Sequence, residues 1–180
     1  MTARRIMGTV IALAWAGLVP HMAVAAHAQT PSEDDALQTA EGVVNQLYEL
    51  VTIEAGHSPD WDQVRSLFLD QAVIVLRTSR TATTVFSVDG FVNDFVSFIE
   101  RANVQETGFT ERVLRTKPTV FGDMAHVWVL YAASIPGSPR PPQQGVDSFS
   151  LIKQDGRWWI AAVTNEIPTA TRPVPPPLQE

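Results

Sequence analysis

Between positions 37 and 51 the apolar residues Leu37, Val43, Val44, Leu47, Tyr48, Leu50 and Val51 recur three or four apart. That period predicts an amphipathic helix over about 34–54. Gly56-His57-Ser58-Pro59-Asp60 interrupts it, and Asp60 or Ser58 can cap a second, short helix whose stripe is Trp61, Val64, Leu67 and Phe68. Residues 72–78 and 83–88 read as strands rich in β-branched residues. Asp89-Gly90 then opens a third helix with Phe91, Phe95, Phe98 and Ile99 on one face. From Phe109 onward the period drops to two, which predicts strands at 109–120, 124–135, 146–153 and 158–165. Gly122-Asp123 is a tight turn, and Pro136 to Gly145 is a proline-rich connector unsuited to a sheet interior.

The last two strands flank Asp155-Gly156, a pair that tolerates the positive φ angles of a two-residue hairpin turn. Strict alternation from that turn pairs Lys153 with Trp158, Leu151 with Ile160 and Phe149 with Ala162, and brings Asp147 opposite Thr164. One face then carries Phe149, Leu151, Trp158 and Ile160, an apolar surface that needs a cover. The other carries Ser148, Ser150, Ile152, Trp159, Ala161 and Val163. Helices whose stripes need burial and a sheet with one apolar face make an α+β layer.

The order of these elements resembles the nuclear transport factor 2-like superfamily, which includes SnoaL-like cyclases and ketosteroid isomerases. The segments that carry the likeness are Trp61 to Val73, Gly122-Asp123-Met124-Ala125 and Asp155-Gly156-Arg157-Trp158-Trp159-Ile160. The resemblance implies a domain over 36–167. Its curved, mostly antiparallel six-stranded sheet would wrap around three helices to form a cone with a pocket at its open end, often in dimers. It also implies that Tyr48 stands for the first-helix tyrosine of the isomerases. The position of their carboxylate base falls at Leu76, followed by Arg77, and a leucine cannot abstract a proton. The strand 124–132 carries no carboxylate either. Isomerase chemistry of that design is not supported.

Other polar residues offer alternatives. His126 lies on a strand between Ala125 and Val127, and facing the cone it would be a general base. Facing outward it would be a sheet histidine beside Trp128. Asp147 and Thr164 come together at the open end of the hairpin, where a carboxylate at the rim of an apolar pocket contacts ligand or titrates high. Asn165 and Glu166 follow at the same strand end. Arg77, Arg112 and Arg115 sit on strands, with solvent-facing alternation as their simplest reading. Trp61, Trp128, Tyr131 and Trp158, together with Tyr48 and Thr164, are candidates to line a pocket for a flat apolar molecule. Trp159, on the opposite sheet face, marks a candidate homodimer contact.

Composition narrows the partners. Arg4 and Arg5, the apolar run Ile6–Val19 and Ala26-His27-Ala28 form an export leader with its cut after Ala28, which implies a periplasmic or secreted protein without stable membrane insertion. The leader takes two arginines and no acid with it, so the net charge moves from −6 to −8. That balance speaks against nucleic acid. There is no cysteine, so no disulfide and no thiolate chemistry. No metal-ligand spacing, G-x-S-x-G or phosphate loop occurs, and no cofactor or metal is expected. Residues 29–35 read as a flexible segment and 168–180, with five prolines, as an extended disordered tail. The expectation is an exported cone that binds a small apolar molecule or self-associates, leaning away from enzymes. The alternative is a cofactor-free isomerase, cyclase or dehydratase using His126 or Asp147 with Tyr48.

Overall fold

A computed structural model describes residues 33–79 and 81–179; the expected export leader, residues 1–28, lies outside the described residues. The elements run α1 (Glu33–Ala36), α2 (Ala40–Val51), α3 (Trp61–Ser66), β1 (Phe68–Arg77), β2 (Thr83–Phe86), α4 (Val88–Ala102), α5 (Val104–Thr107), β3 (Thr110–Phe121), β4 (Met124–Ser134), β5 (Gln143–Gln154) and β6 (Arg157–Glu166), with a closing 3₁₀ turn at Pro176–Leu178.

Local chemistry sets the helix limits. The expected helix over 34–54 is two, because Thr39 turns extended and its side chain accepts from Gly42 N at 3.0 Å. A Cβ on Gly42 would stand 2.2 Å from the Ala36 carbonyl oxygen, so only glycine lets the two helices meet there. At the other end Thr52 leaves the helix, and Ile53 bridges to Phe109. Asp60 rather than Ser58 caps α3, accepting from Asp62 N and Gln63 N. Phe68 belongs to β1 rather than to that helix.

The six strands form one sheet in the order β2-β1-β6-β5-β4-β3, antiparallel except for β1 beside β6. The register shifts at three places in the sheet: between Phe68 and Val73 on β1, and at two bulges that bear on the site. On β3, Val113 pairs with Tyr131 and Arg115 with Leu130, so Leu114 is extra. On β6, Leu151 pairs with Ile160 and Ser150 with Ala162, so Ala161 is extra. Each bulge reverses which residues beyond it face inward. Val163 therefore joins Phe149, Leu151, Trp158 and Ile160 in the core, where strict alternation had placed it outside. Phe149 pairs with Val163, not Ala162.

The inner sheet face closes over α2 and α4. Val43, Val44, Leu47, Tyr48 and Val51 from α2, with Phe91 and Val92 from α4, pack with Val127, Val129, Phe149 and Ile160 in one buried cluster. The outer face leaves Phe121, Met124 and Trp128 exposed. The segment after β6 is not a disordered tail. Arg172 reaches Glu166 at 3.1 Å, the 3₁₀ turn contacts β3 and β4, and Leu178 is fully buried. No described helix is long and apolar enough to cross a membrane.

Candidate functional site

Where the helices stand clear of the curved sheet they leave an open cavity of about 550 Å³. Much of its wall is apolar: Leu47, Val51, Phe68, Phe91, Phe95 and Phe149 among others. A space of this size and lining suits a ring-sized organic molecule.

Five of the polar side chains that line this cavity cluster together: Tyr48, Glu111, Tyr131, Asp147 and Asn165. Asp147 on β5 is held from two sides: the Tyr48 hydroxyl donates to its Oδ2 at 2.5 Å, and Asn165 Nδ2 donates to its Oδ1 at 2.6 Å. Asn165 also lies 3.1 Å from the Tyr131 hydroxyl oxygen, which accepts from it and keeps its own proton for another partner. The rings of Tyr48 and Tyr131 are 5.7 Å apart, and Tyr48 meets Phe149 edge-on at 6.2 Å. Glu111 on β3 completes the group, and its carboxyl meets no hydrogen-bonding side chain among the described residues.

Backbone geometry puts these groups in place. Asp147 pairs across the sheet with Val129 and Asn165, and Tyr131 with Gly145. A Cβ on Gly145 would lie 2.2 Å from the Tyr131 ring, so the missing side chain is what gives that ring its seat. Thr52 ties α2 to β3 beside Glu111: its hydroxyl lies 3.0 Å from Tyr48 O and 3.2 Å from Glu111 N.

The two carboxyl groups differ in proton state. Burial pushes Asp147 up to about 6, and the hydrogen bonds from Tyr48 and Asn165 limit the rise. Burial pushes Glu111 up to about 8, with the negative charge of Asp147 adding to it. At neutral pH Asp147 is a carboxylate and Glu111 a carboxylic acid. Burial also raises both tyrosines, which stay protonated donors.

The other candidates fall elsewhere. His126 is exposed on the outer face beside Trp128, where Ser150 Oγ lies 3.3 Å from its Nδ1, and it is not a pocket base. Trp128 shares that face, 39% exposed. Trp158 is buried in the core away from the cavity, and Trp61 packs on Phe95 at 5.7 Å outside the lining. Thr164 points to solvent, because the Ala161 bulge brings Asn165 inward in its place and opposite Asp147. Trp159 is half-buried beneath Arg157, whose guanidinium sits 3.8 Å from the ring centroid. Glu111 is the residue that sequence reasoning missed. Counted back from the Gly122-Asp123 turn, strict alternation sends it outward, and only the Leu114 bulge turns it in.

Among the described residues, no group of three or more histidines, aspartates or glutamates is arranged to hold a metal ion. No protein-family model matches the sequence, and no curated protein matches it. Solved structures do match. A nuclear transport factor 2-like protein with a cystatin-like fold from Novosphingobium aromaticivorans aligns at 13% identity and TM-score 0.57, over 72% of this chain and 81% of that one. A candidate dehydratase of the same fold family from Streptomyces avermitilis aligns at 16% identity and TM-score 0.56, over 77% and 100%. A candidate aromatic ring hydroxylase from Novosphingobium aromaticivorans aligns at 18% identity and TM-score 0.53, over 77% and 92%. Identities this low establish the fold and leave the chemistry to the site.

Proposed function

Starting from a nuclear transport factor 2-like cone, we propose that the chain is a cofactor-free proton-transfer enzyme that dehydrates a small, largely apolar β-hydroxy carbonyl compound. The observation that supports this reading is the pair of carboxyl groups on one largely apolar cavity, Asp147 held by Tyr48 and Asn165 and Glu111 without a hydrogen-bonding side chain, so that burial raises Glu111 further than Asp147. Environments that push two acids apart in this way divide the roles of base and acid between them.

In this mechanism the Tyr131 hydroxyl donates to the substrate carbonyl oxygen and stabilises the charge that develops there. Asp147 takes the proton from the carbon next to the carbonyl. The electrons of that C–H bond form the new double bond as the C–O bond at the β carbon breaks. Glu111 gives its proton to the departing hydroxyl, which leaves as water. Asp147 ends protonated and Glu111 ionised, and exchange with solvent through the open mouth restores both. Tyr48 and Asn165 hold the Asp147 carboxylate so that its free lone pairs face the substrate. The dehydratase name borne by the Streptomyces avermitilis structure agrees with this class of reaction.

The test is turnover of a panel of aryl and alicyclic β-hydroxy ketones, followed by the absorbance of the conjugated product. We expect a bell-shaped kcat/KM profile with limbs near the two acids' values, about 6 and about 8. D147N and E111Q should each lower kcat by at least about a hundredfold while retaining ligand binding. A cavity that binds these ketones without turning any of them over would make the protein a binding module instead.

A further inference from the structure

Three arginines line the cavity: Arg77, Arg101 and Arg140. Arg77 is already committed, because its Nη2 and Nε meet Glu166 at 2.5 and 3.1 Å. That pairing pulls Glu166 down to about 2. Arg101, in the last turn of α4, and Arg140, in the loop between β4 and β5, make no ion pair among the described residues. Both are exposed, which places them at the mouth, and they arrive from two separate elements. The acid that shares the outer lining is Asp94, two helical turns before Arg101 on α4. Two uncommitted guanidinium groups beside an apolar cavity stand out on a chain whose net charge is −6.

We propose that the natural ligand carries a carboxylate at the end remote from its reacting carbon, and that Arg101 and Arg140 hold it at the mouth. The proposal rests on the cavity being the substrate site, as in the proton-transfer reading above. A planar guanidinium matches the two oxygens of a carboxylate, and an arginine keeps its charge at every working pH. The floor supplies the complementary repulsion. An anion placed beside Asp147 would meet a like charge in a site shielded from solvent, whereas the same anion at the mouth meets two cations. One arrangement therefore selects a charged substrate and fixes its direction, with the hydroxyl and carbonyl facing Asp147 and Glu111. Binding energy collected at the mouth is then available to position the reacting end.

The discriminating probes are 2-naphthylacetate and 2-naphthylacetamide, nearly identical in shape and different in charge. Calorimetric titration at low salt should find the carboxylate bound about tenfold more tightly by the wild type, a preference that shrinks as salt is raised. In the double variant R101Q/R140Q the preference should vanish through weaker carboxylate binding, with amide affinity and melting temperature unchanged. Equal affinities in the wild type, a preference that survives the double substitution, or no binding of either probe would overturn the proposal. The proton-transfer reading fails by a different measurement, since D147N and E111Q are judged on turnover of neutral ketones that the arginines do not read.

Discussion

At the scale of single residues, the two half-buried acids give the site a cost that depends on pH. Glu111 titrates near 8 in the folded chain against an ordinary value of 4.5, and Asp147 near 6 against 3.8. An acid whose folded value is raised binds its proton more tightly when folded than unfolded. Its contribution favours folding below the unfolded value, and that advantage is lost as pH rises through the folded value. Stability should therefore fall between about pH 4 and pH 8, by on the order of 2–3 kcal/mol once partial relaxation of the site is allowed for. Glu111→Gln should flatten the upper part of that slope and raise the melting temperature at pH 8. Thermal melts of both proteins from pH 5 to 8.5 test this, and parallel slopes would mean that Glu111 ionises like a surface acid. The same residues show why the site was only partly legible. Tyr48 stands on an unmistakable helical stripe, and Asp147 lies on a strand that the Asp155-Gly156 turn keeps in simple register. Glu111 carries no signature, because a glutamate among alternating strand residues looks like a solvated one.

At the scale of elements, the seat of Tyr131 depends on a neighbouring strand. Gly145 sits opposite it in the β4–β5 ladder and lends it the space of a missing side chain. Gly145→Ala should displace the ring, lower kcat about tenfold or more and destabilise the fold by about 1–3 kcal/mol. Tyr131→Phe removes the hydroxyl and keeps the ring, so it should lose a similar factor in kcat with little change in stability. If Gly145→Ala left both rate and melting temperature untouched, the close approach would not be what positions the ring. The helices obey the same locality. The break between α1 and α2 follows from the Thr39 cap, a residue type that competes with the helix for its own backbone, and a stripe of apolar positions cannot reveal it.

At the scale of the whole molecule, the segment after β6 is part of the fold. Residues 168–179 turn at Thr169–Arg172, tie Arg172 to Glu166 and bury Leu178 through a 3₁₀ turn that contacts β3 and β4. A proline-rich composition suggested disorder, yet one apolar side chain that finds a site on the sheet outweighs that tendency locally. Removing residues 168–180 should lower the melting temperature by several degrees, and Leu178→Ala should account for most of the loss, about 2–4 kcal/mol. Calorimetry of the two variants beside the full chain checks both. An unchanged melting temperature on truncation would show that the tail adds nothing to stability.

Periodicity, turn chemistry and caps are local, and they were enough for the order of elements, the α+β layer and the inward set Phe149, Leu151, Trp158 and Ile160, while the cone followed from the resemblance of that order to the nuclear transport factor 2-like superfamily. Asp147 was within reach through the hairpin register, and Tyr48 through its place on the first helix together with that resemblance. What the tertiary structure alone decided is which residues lie beyond a bulge. A side-chain period of two has no memory: one extra residue, Leu114 on β3 or Ala161 on β6, exchanges the faces of everything past it. Those two insertions turn Glu111 and Asn165 toward the cavity and Thr164 away from it, and neither leaves a mark in the local sequence. The sheet bulges where its curvature around the helices demands it. That demand belongs to the closed cone, so the acid that completes the site becomes visible only once the cone is built.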